Sequence, residues 1–362
     1  MKRKILTLII ASLLLGACDD YLVSDENISK IYIIGDNVSS LRAINSQGKS
    51  IQDTIWYLDS FDQLYYAELS ADTNEVISVD SLAITKKNRF YQFTRKVIES
   101  SDVICDEGVL NINETLGQLE SSRILAAKAL SYYGAIPSFI NDSLLMVPIL
   151  YSPKGDQLSQ EWFANAGRYG RVVIVDKKNC VLEIPFKFEN ALEFNPLLEH
   201  PIIAHNQSKI YYCQVHDRAV YEWDIKSKEV RKINISGKKI TLDKYDFNKL
   251  NDRKYNLSYY QRSQFVTGLW VDLNGKHLIR QIKKSQKEKD ENGLNIPPYM
   301  SDMVFELIDI SSGEIVKRIE INGEIYSSRK CFFRKELIYV QNKKDSNSDT
   351  LVYNGFLLNQ RM

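Results

Sequence analysis

The stretch that decides the fold is Val304-Phe-Glu-Leu-Ile-Asp-Ile-Ser-Ser-Gly-Glu-Ile-Val-Lys-Arg-Ile-Glu-Ile321. Two runs rich in β-branched residues flank a short turn of Ser and Gly. β-Branched and aromatic residues favour strands, whereas Ser and Gly favour turns. Apolar and polar residues alternate within each run, which is typical of a strand with two unlike faces. The stretch therefore predicts an antiparallel hairpin.

The same pattern recurs along the chain. Five further hairpins are predicted over Leu64–Val79, Val109–Leu119, Val172–Phe186, Val220–Ile235 and Leu337–Leu358, with turns near residues 72, 112, 177, 226 and 345. With the first hairpin, the turns are on average about 55 residues apart, close to the ~40–50 residues of common propeller blades with long insertions. We therefore predict an all-β fold, a β-propeller of six blades.

Three regions interrupt this pattern. Ile124–Leu130 fits either a short helix or a strand, and Pro153–Gly170 is interpreted as a long polar loop. Lys283–Asn295 is a mixed-charge segment, interpreted as a solvated loop. Because no linker rich in Pro, Gly or Ser divides the chain, one domain is expected over residues 30–362. The first and last apolar runs, Ile28–Ile34 and Leu351–Leu358, are expected to close this domain by lying in the same or adjacent blades.

The N-terminus has the layout of a secretory signal. Met1-Lys-Arg-Lys4 precedes a short apolar segment, Ile5–Ala17, which is too short for a membrane span of about 20 residues. Leu15-Gly-Ala-Cys18 resembles the bacterial lipobox, and this resemblance implies cleavage before Cys18 and acylation of its sulfur. We expect a signal peptide over residues 1–17, followed by a lipidated cysteine and an acidic tether over residues 18–29. A plain signal peptide and a buried N-terminal helix are the alternatives.

The charge balance agrees with an exported protein that does not bind nucleic acid. The formal net charge is +1, and loss of Lys2, Arg3 and Lys4 with the signal leaves 44 basic residues against 46 acidic ones. A nucleic-acid-binding domain normally carries a basic excess. Asp19-Asp20 resembles an inner-membrane retention signal of proteobacterial lipoproteins and also a surface-export signal of Bacteroidota-type lipoproteins. We expect a lipid-anchored envelope protein, at the outer membrane, facing either the periplasm or the exterior.

Four cysteines remain after the anchor: Cys105, Cys180, Cys213 and Cys331. Three of them, all except Cys180, lie within apolar runs, where a free buried cysteine is an ordinary packing residue. Their pairing stays open, but we expect most of them to be free thiols. Because no Cys-x-x-Cys occurs, the sequence gives no support for redox catalysis or a cysteine-type zinc site.

The lipobox, the acidic tether and the hairpins together resemble the six-bladed β-propeller lipoproteins of Bacteroidota-type bacteria. More narrowly, they resemble the family called domain of unknown function 4221. The stretch Gly268-Leu-Trp-Val-Asp-Leu-Asn-Gly-Lys-His-Leu-Ile-Arg280 adds to this resemblance. The resemblance covers nearly the whole chain, and it implies no catalytic residues to carry over.

Candidate site residues follow from the anchor and from aromatics expected in loops. Cys18 is the lipidation site. Aromatic faces bind sugars and peptides with little loss of entropy, so we select as ligand-binding candidates Trp162, Phe163, Tyr169, Tyr259 and Tyr260. The sequence predicts neither a metal nor a cofactor, and no catalytic residue is assigned.

Two functions remain open on the sequence. The first is a membrane-anchored scaffold that binds a protein, peptide or glycan without catalysis. The second is an envelope hydrolase or lyase with its site at the propeller axis, since a fold does not decide between the two.

Overall fold

The structure is a computed structural model, and it describes residues 29–34, 42–44, 54–58, 64–68, 74–78, 102–119, 124–125, 138–141, 143–149, 152–153, 172–185, 202–215, 219–237, 240, 244–272, 274–297, 300–334 and 336–358.

Strands dominate these residues, which confirms the prediction of an all-β protein. The strands are β1 Ser29–Ile34, β2 Arg42–Ile44, β3 Thr54–Leu58, β4 Leu64–Glu68, β5 Asn74–Ser78, β6 Asp102–Cys105, β7 Gly108–Asn111, β8 Ile124–Leu125, β9 Ser138–Phe139, β10 Leu144–Pro148, β11 Ser152–Pro153, β12 Val172–Asp176, β13 Val181–Glu183, β14 Ile202–His205, β15 Lys209–Cys213, β16 Ala219–Asp224, β17 Val230–Asn234, β18 Phe265–Val271, β19 His277–Lys283, β20 Met303–Asp309, β21 Ile315–Ile321, β22 Tyr326–Arg334, β23 Leu337–Asn342 and β24 Thr350–Leu357. The helices are α1 Ile112–Leu119 and α2 Arg253–Arg262, with a 3₁₀ turn at Phe247–Lys249.

Three of the four larger sheets are four-stranded and antiparallel. Two of them follow chain order, β14 to β17 and β18 to β21, and a third has the order β13-β12-β10-β9. The last sheet has the order β22-β23-β24-β1-β5, so that its final strands come from the opposite end of the chain. Smaller sheets are formed by β2-β3-β4, β6-β7 and β8-β11.

Four predicted hairpins are confirmed. β12 pairs with β13, β16 with β17, β20 with β21, and β23 with β24. Three of these turns share one device, an aspartate at the end of the first strand whose carboxylate accepts hydrogen bonds from the next backbone amides. Asp176, Asp224 and Asp309 each accept from the amide two residues further on at 2.9–3.0 Å. This is the Asx turn, which fixes the hairpin locally.

Two predicted hairpins are wrong. Over Leu64–Val79 both strands form, but β4 pairs with β3, and β5 runs parallel to β1. Over Val109–Leu119 the second half is helix α1, and β7 pairs with β6, the strand that precedes it in the chain. The Asn111 side chain accepts the backbone amide of Glu114 at 3.0 Å and so caps α1. A capped helix replaces the expected returning strand.

The regions expected to break the pattern need two corrections. Ile124 and Leu125 form a strand that pairs with Ser152 and Pro153, so Pro153 is a strand residue. Residues 154–170 lie outside the described residues. Lys283, taken as the start of a solvated loop, is instead the last residue of β19 and is only 2% exposed. The residues after it, from Lys287 to Asn295, are mostly exposed, as predicted.

Apolar clusters join each larger sheet to the next one along the chain. One cluster packs β6, β7 and α1 against β10 and β12. The next joins β10 and β12 to β14, β15 and β16. A third joins β15 and β16 to β18, β19 and β20, and a fourth joins β18 to β21 with β22, β23 and β24. The core is thus a series of face-to-face layers in chain order.

The first and last described strands meet in one sheet, which confirms the prediction that the first and last apolar runs lie together. β1 pairs antiparallel with β24 from Ser29↔Gly355 to Ile34↔Thr350. Ser29 Oγ and Tyr339 OH share a buried hydrogen bond of 3.2 Å across this junction. Ile31 and Ile33 are almost fully buried. β2 lies beside β22, so the sheet that follows β1 along the chain contacts this last sheet.

Candidate functional site

The structure tests the location of two of the sequence-selected residues. Cys18, Trp162, Phe163 and Tyr169 lie outside the described residues. Tyr259 and Tyr260 were expected in a loop, and this placement is wrong because both lie in helix α2.

Helix α2 begins at a strong N-terminal cap. The Asp252 carboxylate accepts the backbone amides of Lys254 and Tyr255 at 2.9 and 3.0 Å. The ten residues that follow contain no β-branched side chain. The capping aspartate and this composition are the sequence signals that could have identified the helix.

Tyr259 is a core residue. Its side chain is 1% exposed, and its ring packs edge-on against Tyr245 with centroids 5.1 Å apart. Tyr255 lies against the same Tyr245 ring at 5.4 Å. Tyr260 is half-buried and packs edge-on against Phe265 at 4.8 Å. The Tyr259 ring is buried too deeply to offer a face to a ligand, so its role is packing in the core.

Lys283 is the most unusual buried charge among the described residues. Its ammonium donates to the backbone carbonyls of Gln261, Ser263 and Lys284 at 3.0–3.1 Å. It also lies 5.2 Å from the centroids of the Tyr260 and Phe265 rings. Two of those carbonyls belong to the end of α2, where a cation is favoured by the helix dipole. Burial lowers the pKa of Lys283 to about 7.

A buried ion-pair row crosses the β18–β21 sheet. Arg280 on β19, Glu306 on β20 and Arg318 on β21 are register neighbours. Arg280 donates to Glu306 Oε2 from Nη2 at 2.6 Å and from Nε at 3.0 Å, while Arg318 approaches Oε1 at 3.5 Å. The side chains of Arg280 and Glu306 are each 3% exposed. Alternation places Arg280 between Leu278 and Ile282, on the face that packs against the β14–β17 sheet.

A second ion-pair row crosses the β14–β17 sheet, with Tyr211, Glu222 and Arg231 as register neighbours. Glu222 accepts from Lys209 at 2.8 Å and from Arg231 at 3.0 and 3.2 Å. Arg231 also donates to the carbonyl of Ile310 at 3.3 Å, which lies just beyond β20. Burial by itself would raise the pKa of Glu222, but the hydrogen bonds from Arg231 and Lys209 lower it overall. Both rows therefore belong to one layer between two sheets, here called the charge layer.

The stretch Gly268–Arg280, singled out in the sequence, forms a hairpin turn. Asp272 accepts the backbone amide of Lys276 at 2.8 Å, and its other oxygen lies 2.9 Å from His277 Nδ1. These two side chains line a small cavity with Leu307, Phe333, Glu336 and Leu358. The cavity has room for about one water molecule. The Asp–His contact thus fixes a turn beside a water-sized space.

Within the described residues, no disulfide joins Cys105, Cys180, Cys213 or Cys331. Cys105, Cys213 and Cys331 are buried, and Cys180 is partly exposed. In the described parts of the chain, no group of three or more His, Cys, Asp or Glu side chains is placed to hold a metal ion. Within the same residues, no helix is long and apolar enough to cross a membrane.

The ion pairs of the charge layer join neighbouring strands within each of the two sheets. Each of its two carboxylates is held by two cations and is at most 6% exposed. These residues are difficult to select from the sequence because charged side chains are usually exposed to solvent. The usable signal was position, since Arg280 and Glu306 occur at alternating positions that otherwise carry apolar residues.

The fold defines an all-β protein of packed antiparallel sheets, and comparison with solved structures agrees. The chain is similar to a member of the DUF4221 family from Bacteroides vulgatus, with a TM-score of 0.59 and 11% sequence identity, over 91% of this chain and 97% of that one. This similarity of fold supports the resemblance to the DUF4221 family.

Weaker similarities extend to two enzymes. A luciferin-regenerating enzyme matches with a TM-score of 0.36 and 9% identity, over 91% of this chain and 96% of that one. An acylaminoacyl peptidase from Pyrococcus horikoshii matches with a TM-score of 0.32 and 12% identity, over 56% of this chain and 26% of that one. No protein-family model matches the sequence, and no curated protein matches it.

Proposed function

We propose that the chain is a lipid-anchored lipoprotein of the cell envelope, at the outer membrane. Residues 1–17 are its signal peptide, residues 18–29 its lipidated tether, and residues 30–362 a six-bladed β-propeller. The propeller binds a protein, peptide or glycan without catalysis, and nucleic acid is not a partner. The observation that carries this proposal is the pairing of β1 with β24, directly after the tether.

The propeller follows from closure and layering. A propeller stacks sheets radially, and it must join its first and last blades. Here apolar clusters connect the larger sheets in chain order, and the N-terminal strand β1 lies beside the C-terminal strand β24. The similarity in fold to the DUF4221 member supports the same architecture.

The anchor follows from the lipobox and from the position of β1. Cys18 and Ser29 are separated by 11 residues, which span at most about 40 Å when extended. A lipidated Cys18 would therefore hold the β1 edge of the scaffold within that distance of the membrane. Two or more acyl chains make such an anchor stable.

Binding is favoured over catalysis because the described charged clusters are committed to structure. Glu222 and Glu306 are buried and paired, and Lys283 is held by three carbonyls. The remaining candidates for ligand contact are Trp162, Phe163 and Tyr169, in the segment between β11 and β12.

The anchor is tested by labelling cells with radioactive palmitate. The wild type is expected to incorporate label and to fractionate with the outer membrane, whereas Cys18→Ser incorporates none. Serine keeps the size of the side chain but removes the sulfur that carries the acyl group. Equal labelling of both proteins would contradict lipidation at Cys18.

Ligand binding is tested on arrays of envelope glycans and of peptides. Trp162→Ala is expected to weaken binding by tenfold or more while its melting temperature stays within a few degrees. Leu257→Ala, at an exposed position of α2, is the matched control and retains binding. Incubating the bound ligand with the protein separates scaffold from enzyme, because a hydrolase or lyase would convert it. Turnover would contradict the proposal.

A further inference from the structure

Two hairpin turns, one from each of two neighbouring sheets, bring a pair of cysteines together. Cys105 is the last residue of β6, and Cys180 is the last residue of the turn between β12 and β13. The backbone amide of Asp106, next to Cys105, donates to the carbonyl of Lys177 in the second turn at 2.9 Å. The two turns are therefore fixed against each other by their backbones.

The side chains of the two cysteines meet in one apolar cluster. Cys105 is 7% exposed among Val103, Leu110 and Leu182, and Cys180 packs against the same cluster from its edge. Burial raises the pKa of the Cys105 thiol to about 12, with a further contribution from its hydrogen-bond contact with the Cys180 thiol. The Cys105 thiol also donates to the carbonyl of Val103 at 3.7 Å, and both cysteines border the same apolar cluster.

The backbone conformation at Cys180 is unfavourable for a cysteine. Its φ is +55°, in the left-handed region that glycine and asparagine occupy at least cost. The other two cysteines have different surroundings. Cys331 donates to Gln281 Oε1 at 3.4 Å, and Cys213 lies in the cluster between β15 and β18.

We propose that Cys105 and Cys180 are a disulfide site, closed by a small disulfide oxidant such as oxidised glutathione. The bond would join the β6–β7 hairpin covalently to the sheet that contains β12. Among the described strands β6 and β7 pair only with each other, and an isolated two-stranded unit is weakly stable. The site requires neither the lipid anchor nor a ligand, so it stands apart from the proposed function.

The reaction is a thiol–disulfide exchange in two steps. Cys180, the more exposed thiol, loses its proton, and its sulfur attacks one sulfur of the oxidant. The oxidant's S–S bond breaks, one glutathione leaves and takes up a proton, and Cys180 carries the other as a mixed disulfide. The Cys105 thiolate then attacks the Cys180 sulfur and releases the second glutathione. Two thiols are oxidised, and one oxidised glutathione is reduced to two molecules of glutathione.

The second step is expected to be slow at neutral pH. Burial keeps the pKa of Cys105 above its ordinary value, so little thiolate is present at pH 7, and the thiolate is the nucleophile. The rate of bond closure should therefore rise about tenfold for each pH unit while Cys105 limits the reaction.

The test uses the folded full-length chain carrying Cys18→Ser, so that the N-terminal thiol does not enter the count. The protein is incubated with oxidised glutathione and quenched in acid. Free thiols are counted after unfolding, and linked peptides are mapped by mass spectrometry without reduction. We expect a loss of two thiols, a peptide pair that links residues 105 and 180, and a melting temperature higher by about 5 °C.

Matched variants separate this bond from other oxidation. Because Cys180 is partly exposed, the Cys180→Ser variant should retain the fold. On oxidation it should no longer lose two free thiols together. Cys105→Ala should likewise not lose two thiols on oxidation, whereas Cys213→Ser and Cys331→Ser should still lose two. A mixed disulfide that persists on Cys180 even when the pH is raised, a different linked pair, or an unchanged two-thiol loss in Cys180→Ser would each overturn the proposal.

Discussion

Arg280 directs two nitrogens at a single oxygen of Glu306, Nη2 at 2.6 Å and Nε at 3.0 Å, in the layer between the β14–β17 and β18–β21 sheets. The other oxygen of Glu306 faces Arg318 at 3.5 Å. Two cations thus share one buried carboxylate. Both ion pairs join neighbouring strands of the β18–β21 sheet, so a shift in the register of these strands would leave a buried charge unpaired.

Removing the shared carboxylate should be costly. Glu306→Gln leaves the buried Arg280 without its counter-charge, and loss of one partner of a buried pair costs about 3–5 kcal/mol. Urea unfolding at pH 7 measures this free energy. Glu320→Gln is the control, since its pair with Lys284 is about one-third exposed and is worth at most about 1 kcal/mol. A Glu306→Gln variant as stable as Glu320→Gln would contradict the role given to the charge layer.

The lowered pKa of Lys283 predicts that the free energy of unfolding depends on pH. Its folded pKa is about 7, whereas the unfolded value is near 10.5. Between these values the unfolded chain holds a proton that the folded chain has lost. The contribution of Lys283 to stability therefore rises with pH over this window, by at most about 1.4 kcal/mol per unit, and is flat below pH 7.

The measurement is urea unfolding of wild type and Lys283→Met between pH 6.5 and 10. The stability of the wild type relative to the variant should rise with pH. Lys226→Met, at an exposed position, is the matched control. A difference between wild type and Lys283→Met that is independent of pH would show that Lys283 keeps its proton throughout.

The pairing of β1 with β24 requires a glycine at position 355. A Cβ at position 355 would lie 2.9 Å from the Tyr339 ring and 3.2 Å from Ser29 Cβ. Gly355→Ala should destabilise the protein by about 1–3 kcal/mol through overpacking. Tyr339→Leu removes the ring atoms in question, so the double variant should lose less than the sum of the two single effects. Strict additivity in thermal unfolding would indicate that these residues do not meet.

Deleting residues 349–362 removes β24 and exposes the edges of β1 and β23. Unpaired apolar edges recruit other chains, so the truncated protein should aggregate. Light scattering and size-exclusion chromatography measure this outcome. A truncated chain that stays monomeric with an unchanged melting temperature would contradict the closure.

Tyr259 and Leu257 form a matched pair on one helix. Tyr259 is 1% exposed and Leu257 is 48% exposed. Tyr259→Ala should cost about 3–5 kcal/mol, as for other large buried rings. Leu257→Ala should change stability by about 0.5 kcal/mol. Equal effects on chemical denaturation would place Tyr259 outside the core.

The sequence predicts local pairing better than distant pairing. Asp176, Asp224 and Asp309 end their strands with a turn device that needs no distant contact, and their hairpins were predicted correctly. β5, in contrast, does not pair with the preceding strand β4. It pairs instead with β1, more than forty residues away in sequence, and this register follows from tertiary packing that no local pattern encodes.

The candidate site was less predictable for a related reason. Arg280, Glu306 and Lys283 look like surface residues in composition. Arg280 and Glu306 are tolerated in the interior because they pair across two strands, and Lys283 because carbonyls at the end of α2 accept from it. Tyr259 was assigned to a loop because the capping role of Asp252 was not recognised. The helix signal was local and could be read, whereas the ion pairs needed the register of three strands.

The pairing of β1 with β24 also sets an order of events in the life of the chain. The Ser29–Tyr339 hydrogen bond joins residues 310 positions apart, so it belongs to the slowest class of contacts to form. During synthesis, β1 emerges before the other described strands, and its edge toward β24 has no partner until the last strand arrives. If the proposed export carries an unfolded chain, the final sheet is completed only on the far side of the membrane.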